Sequence, residues 1–257
     1  MDNSFDLFLF MGQSNMAGRG ISNNNWPEKP PALISGAGFE FRAISDPSKL
    51  YPIEEPFGVN ENNPKGIFEP NKKTGSLVTA FTNAYYSTCH VPIIAISASK
   101  GGSVIAKWQG HYDYLTDSLL RLKRAEDYCA NQHIHIAHKY MAWCQGESDG
   151  DYHTPIALYK NAFNNMLHTM LSAGIEMCFM ITIGHYNGLG NIDYSPIISA
   201  QYELAASHPK VLLVSNDFTS MKARGLMKNE FHYYQAAYNE VGIIAGKNTG
   251  IFRNSIN

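Results

Sequence analysis

Short apolar runs separated by amphipathic stretches set the rhythm of the chain. Phe5–Met11, Val91–Ser97, Lys139–Cys144, Glu176–Ile183 and Val211–Ser215 lack polar alternation, as strands covered on both faces do. Between them the period changes to that of a helix. Leu77, Ala80, Phe81, Ala84 and Tyr85 form one stripe, and Leu115, Leu119, Leu122 and Cys129 a second. Tyr159, Phe163, Met166 and Met170 form a third, and Ala237, Val241 and Ile244 mark a last helix near Gln235–Lys247. Strands alternating with helices predict an α/β domain with a mostly parallel five-stranded sheet.

Gly20 to Gly75 breaks this alternation. It holds eight of the twelve prolines, many asparagines and no sustained period. A loop this long inside a compact domain is usually functional. It follows the first strand, so it is expected over the carboxyl edge of the sheet, where open α/β sheets bind ligands. A decorative insertion or packed flap is the alternative. The whole chain, 1–257, reads as one domain carrying this insertion at about 20–75.

Composition narrows the function classes. Charged residues are 16% and the net charge is −2, which argues against nucleic acid and against a polybasic membrane anchor. No window approaches the roughly 18 apolar residues of a spanning helix. Phe5–Met11 is too short and lacks the basic flank of a signal segment. Cys89, Cys129, Cys144 and Cys178 are widely spaced with no CxxC pair, so they read as free thiols and the location as cytoplasmic.

The first strand ends in Gly12-Gln13-Ser14-Asn15-Met16-Ala17-Gly18. Five residues separate the glycines, where a phosphate loop needs four and then Lys-Ser/Thr. The dinucleotide fingerprint also fails, and Met16 stands where a G-x-S-x-G elbow needs its last glycine. On spacing alone Ser14 is an N-cap or turn serine. Two more segments change that. Ser97–Ser103 and Trp143–Asp149 are small and polar, and each follows a strand at the same sheet edge. Asn229-Glu230-Phe231-His232 precedes the last helix. A hydroxyl, glycine N–H groups, an amide and an imidazole at one crevice are the parts of acyl transfer.

GQSNMAG, the GGS ahead of Ile105-Ala106-Lys107-Trp108, WCQGESD and the late N-x-x-H together resemble the SGNH-hydrolase superfamily. Within it they are similar to the sialate O-acetylesterase and carbohydrate esterase family 6 (acetyl-xylan esterase) branch. The motifs run in order from residue 7 to about 245. The resemblance implies a flavodoxin-like three-layer α/β/α fold and metal-free, cofactor-free removal of O-acetyl groups from sugars. It assigns Ser14 as nucleophile and His232 as base. It assigns the Ser14 N–H, the Gly102 N–H and the Gln145 side chain to an oxyanion hole. Asn229 departs from the pattern, which has aspartate three residues before the histidine. The expectation is that the Asn229 side-chain oxygen, or a nearby backbone carbonyl, accepts the Nδ1 proton. Glu147 is then expected to support the Gln145 turn, with Glu230 the other carboxylate at hand.

Trp26 and Trp108 are candidate aromatic faces for the sugar. His185, past the fourth apolar run, is a candidate substrate contact or a satisfied structural histidine. His133, His135 and His138 read as a solvated loop rather than metal ligands. The expected partner is an acetylated sugar. The alternatives are a thioesterase or lipid esterase, and a non-catalytic sugar-binding protein on an esterase scaffold.

Overall fold

A computed structural model describes residues 4–21, 28–110 and 113–256. Its central strand, β1 (Ser4–Gly12), decides the architecture. Leu7, Leu9 and Met11 point into one buried cluster, while Phe8 and Phe10 point into another. A strand apolar on both faces needs cover on both. Helices α3 (Asp113–Asn131), α5 (Ile156–Ser172) and α6 (Ser195–Ser207) supply it on one side, through Leu115, Phe163 and Ile197 among others. Helices α2 (Val78–Cys89) and α8 (Gln235–Ser255) supply it on the other, through Phe81, Tyr85, Val241 and Ala245. The result is three layers, α/β/α.

The sheet has seven strands in the order β3-β2-β4-β1-β5-β6-β7. The remaining members are β2 (Gly38–Phe41), β3 (Leu50–Pro52), β4 (Ile93–Ser99), β5 (His135–Cys144), β6 (Met177–Ile181) and β7 (Val211–Ser215). All pairings are parallel except β2 with β3. The five apolar runs are all strands. The expected count of five falls short because β2 and β3 lie inside the proline-rich insertion, where strands of four and three residues carry no long apolar run. The last helix runs on to Ser255, eight residues past the expected end.

The chain leaves β4 through α3 and crosses β1 to enter β5, so β1 is flanked by strands reached in opposite directions. A crevice at such a switch point opens at the strands' carboxyl ends. Gly12 makes the exit from β1 possible. Its φ is +136°, and a Cβ there would stand 2.0 Å from the Cys144 carbonyl oxygen.

The insertion is tied into the core. Arg121 of α3, fully buried, donates to the Ser97 carbonyl (2.7 Å) and the Glu61 carbonyl (3.1 Å), and pairs with Asp117 (2.9 Å). Lys73 donates to the Gly58 carbonyl (2.9 Å) and the Ser97 hydroxyl (2.7 Å), and burial lowers its pKa to about 8. At the far end of the chain, Arg253 of α8 pairs with Asp6 of β1 at 2.7 Å. Tyr85 donates its hydroxyl to the same carboxylate oxygen at 2.5 Å.

Candidate active site

Ser14 opens a single helical turn, α1 (Ser14–Ala17), directly past β1. His232 reaches it from the segment ahead of α8, with Nε2 3.0 Å from Ser14 Oγ. The two sit in a cavity of about 420 Å³, lined also by Gly101 and Gly102 beyond β4 and by Glu147 and Ser148 beyond β5. Phe68, Glu69, Pro70 and Lys72 of the insertion close another side, so the expected position of that segment over the sheet edge is borne out for these residues.

The loop beyond β4 is held close to the serine. Gly101 donates its N–H to Glu69 Oε1 at 2.7 Å, and Arg19 Nη2 donates to the same oxygen at 2.7 Å. A Cβ on Gly101 would lie 2.4 Å from Glu69 Oε1 and 3.3 Å from Ser14 Cβ, so a side chain there would have to displace the Glu69 carboxylate that holds the loop. Among the described residues, neither the Ser14 nor the Gly102 N–H donates to another protein group. Two donors without protein partners beside a serine–histidine contact are what a developing oxyanion requires.

Gln145 departs from expectation. Its Nε2 is spent on the Ser103 carbonyl (2.8 Å) and Asp149 Oδ2 (2.5 Å), and its side chain is buried outside the cavity. It braces the turn, and Asp149 supports it. Gln13 is the amide that lines the cavity. The Gln13 Oε1 accepts from the Gly146 N–H at 3.0 Å and the Ser148 N–H at 3.3 Å. That fixes the amide, and its Nε2 makes only a long contact, 3.4 Å, with Ser148 Oγ.

Glu147 does not support Gln145 either. Its Oε1 accepts from Asn15 Nδ2 at 2.5 Å, and the same nitrogen donates to the Phe231 carbonyl at 2.9 Å. Tyr238 in turn donates its hydroxyl to Asn15 Oδ1 at 2.6 Å. Asn15 thereby links the nucleophile turn to the residue before His232. Burial raises the Glu147 carboxyl to about 7, against the Asn15 hydrogen bond that lowers it.

Burial lowers the His232 imidazole to about 4, and the nearby charges of Arg19 and Lys228 push the same way. Between those two values both groups are uncharged.

The clearest correction concerns Asn229. Its Oδ1 accepts the backbone N–H of His232 (2.7 Å) and of Phe231 (3.1 Å). That fixes the amide orientation and turns Nδ2 toward His232 Nδ1 at 3.2 Å. An amide nitrogen only donates, so Nδ1 is the acceptor and the ring proton is assigned to Nε2. The expected acceptance of the Nδ1 proton by the asparagine oxygen is overturned, because that oxygen is engaged by the backbone. His232 at rest donates to Ser14.

The candidate sugar contacts fare unevenly. Trp108 is 0% exposed, stacks edge-on against Trp143 at 5.3 Å and donates to Ser103 Oγ, so it is core and offers no face to a ligand. His185 is half-buried and does not line the cavity. Trp26 lies outside the described residues. Of the histidine run, His138 pairs with Glu176 at 2.7 Å and His133 sits at a turn with φ +55°. Glu230 is exposed and also outside the cavity. Arg19, Asn15, Gln13 and Glu69 had no assigned role in the sequence reading. Asn15 and Gln13 stood inside the quoted motif, whereas Glu69 had no local signal at all.

Comparison with known proteins finds the same fold elsewhere. A protein from Arabidopsis thaliana shares the fold at TM-score 0.67 and 20% identity, covering 97% of this chain and 98% of its own. NanS does so at TM-score 0.62 and 12% identity, covering 100% and 99%. A carbohydrate acetylesterase from Xanthomonas citri gives TM-score 0.60 and 14% identity over 96% of this chain and 57% of its own. No curated protein sequence matches the chain. The family described as "Carbohydrate esterase, sialic acid-specific acetylesterase" matches residues 4–248, nearly the span over which the motifs run. The chain belongs to that family of SGNH-type hydrolases and is a carboxylic ester hydrolase.

Proposed function

We propose that the enzyme removes O-acetyl groups from an acidic sugar of the sialic acid type through an acetyl-serine intermediate. The observation that carries this reading is the 3.0 Å contact of Ser14 Oγ with His232 Nε2 beside two N–H groups that have no partner among the described residues. Ser14 attacks the acetyl carbonyl, and the negative charge that develops on its oxygen is met by the Ser14 and Gly102 N–H groups. Gln13 Nε2 serves as a third donor in place of Gln145. Once the ring proton has moved from Nε2 to Nδ1, His232 takes the serine proton on Nε2 and passes it to the departing sugar hydroxyl. Water, deprotonated by the same ring, then releases acetate.

Lys72 and Lys100 on the cavity wall suit a sugar carboxylate, and the family's description names sialic acid. A thioesterase or lipid esterase would find an apolar trough there instead of these cations. The free cysteines are in keeping with the cytoplasmic location read from the sequence. Among the described residues no helix is long and apolar enough to cross a membrane. The test is acetate release from O-acetylated sialic acid and from acetylated xylo-oligosaccharides. Preference for the sialic acid supports the reading, and activity confined to the neutral xylosides overturns it.

Glu69 provides a second check. It holds the loop carrying the Gly102 donor, so Glu69→Ala is expected to lower kcat by about 10- to 10²-fold with a smaller effect on KM. Glu69→Gln keeps an acceptor for the Gly101 N–H and should lose less. Initial-rate kinetics of the two variants decide it.

A further inference from the structure

We propose that the groove next to the catalytic pocket is a second sugar subsite, built for a neutral saccharide residue linked to the acetylated one. This rests on the acetylesterase reading of the Ser14 pocket. The groove encloses about 720 Å³ between the 102–109 segment and α5. It borders the catalytic pocket at two places. Gly102 lines both, and the turn around α4 (Glu147–Asp151) gives Asp151 to the pocket and Tyr152 to the groove. A sugar whose acetyl carbonyl is held at the Gly102 N–H therefore has open space on the far side of that glycine for whatever is glycosidically attached to it.

The chemistry of the walls selects the occupant. Leu158, Asn161, Ala162 and Asn165 recur at the spacing of one helical face, so α5 presents apolar carbon and amides together. Tyr152 is 77% exposed and Leu158 60%. Large apolar side chains left open around a concavity mark a binding surface. A pyranose offers C–H faces to an aromatic ring and hydroxyls to amides, and it satisfies both kinds of wall. The Asp149 carboxylate is buried and turned inward, its Oδ2 accepting from the Ile105 N–H (2.8 Å) and from Gln145 (2.5 Å). An acyl chain would leave the Asn161 and Asn165 amides facing hydrocarbon.

The experiment compares an O-acetylated monosaccharide with the same sugar extended by one neutral residue. The wild type should favour the extended substrate by about tenfold in kcat/KM, the scale of one aromatic contact. In Tyr152→Ala, and separately in Asn161→Ala/Asn165→Ala, the ratio should fall toward one. Equal rates on both substrates in the wild type, or a ratio retained in both variants, overturn the proposal. So does a Tyr152-dependent preference for p-nitrophenyl octanoate over p-nitrophenyl acetate, which would make the groove an acyl channel. A binding arm separates this failure from failure of the esterase reading. Ser14→Ala titrated with the deacetylated disaccharide should show amide NMR shifts at residues 152–165. Shifts confined to the catalytic pocket overturn the subsite, whatever the enzyme hydrolyses.

Discussion

Asn229→Asp is expected to raise kcat on an acetyl ester by about 10²-fold or more. A carboxylate at this position can accept the two backbone N–H groups on one oxygen and the His232 Nδ1 proton on the other. The proton then leaves Nε2, and Nε2 faces Ser14 as an acceptor. With asparagine the ring must first move its proton to Nδ1 and place it against the amide's own hydrogens. Serine proteases lose about 10⁴-fold in kcat when the corresponding aspartate becomes asparagine, for the same reason of tautomer. The pH dependence offers an independent reading. In the wild type the rising limb of kcat/KM should lie near the His232 value of about 4. A carboxylate beside the ring favours the imidazolium, so the limb of Asn229→Asp should move to higher pH. No gain in kcat and no movement of the limb would mean that Asn229 does not set the tautomer.

Ser14→Ala is expected to lower kcat by at least about 10³-fold, because no other hydroxyl replaces the attacking oxygen. Stability should change little, since among the described residues the side chain hydrogen-bonds only to His232. The wild type should also release p-nitrophenol from p-nitrophenyl acetate in a burst, one equivalent per site, and the variant should show none. A variant that keeps a tenth of the activity removes Ser14 from the role of nucleophile.

The parts of this molecule governed by local pattern were legible in the sequence. β1 announced itself as an apolar run broken only by Asp6, and its glycine-serine exit fixed where the nucleophile would stand. The Tyr159–Met170 stripe gave α5 for the same reason. What escaped depends on contacts across long stretches of chain. β2 is a strand because β4 offers it a partner, and β3 because β2 does, not because their own residues insist on it. Glu69 reaches Gly101 across thirty-two residues of sequence, through an insertion without periodicity. Gln145 and Trp108 were misplaced for a different reason. A motif names which residues gather, and only packing decides which of them turn inward.

The ion pair of Arg253 with Asp6 bears on how much of the chain a working fragment needs. The family match ends at residue 248, and Arg253 lies five residues further on. A fragment cut at the match boundary would strand the Asp6 carboxylate, fully buried in the central strand, with the Tyr85 hydroxyl as its remaining side-chain partner among the described residues. Leaving a buried charge without its counter-ion costs about 3–5 kcal/mol, a large share of a typical domain's margin of 5–15 kcal/mol. The segment recognisable by sequence likeness is thus shorter than the segment that must be expressed, and the last turn of α8 belongs to the folding unit.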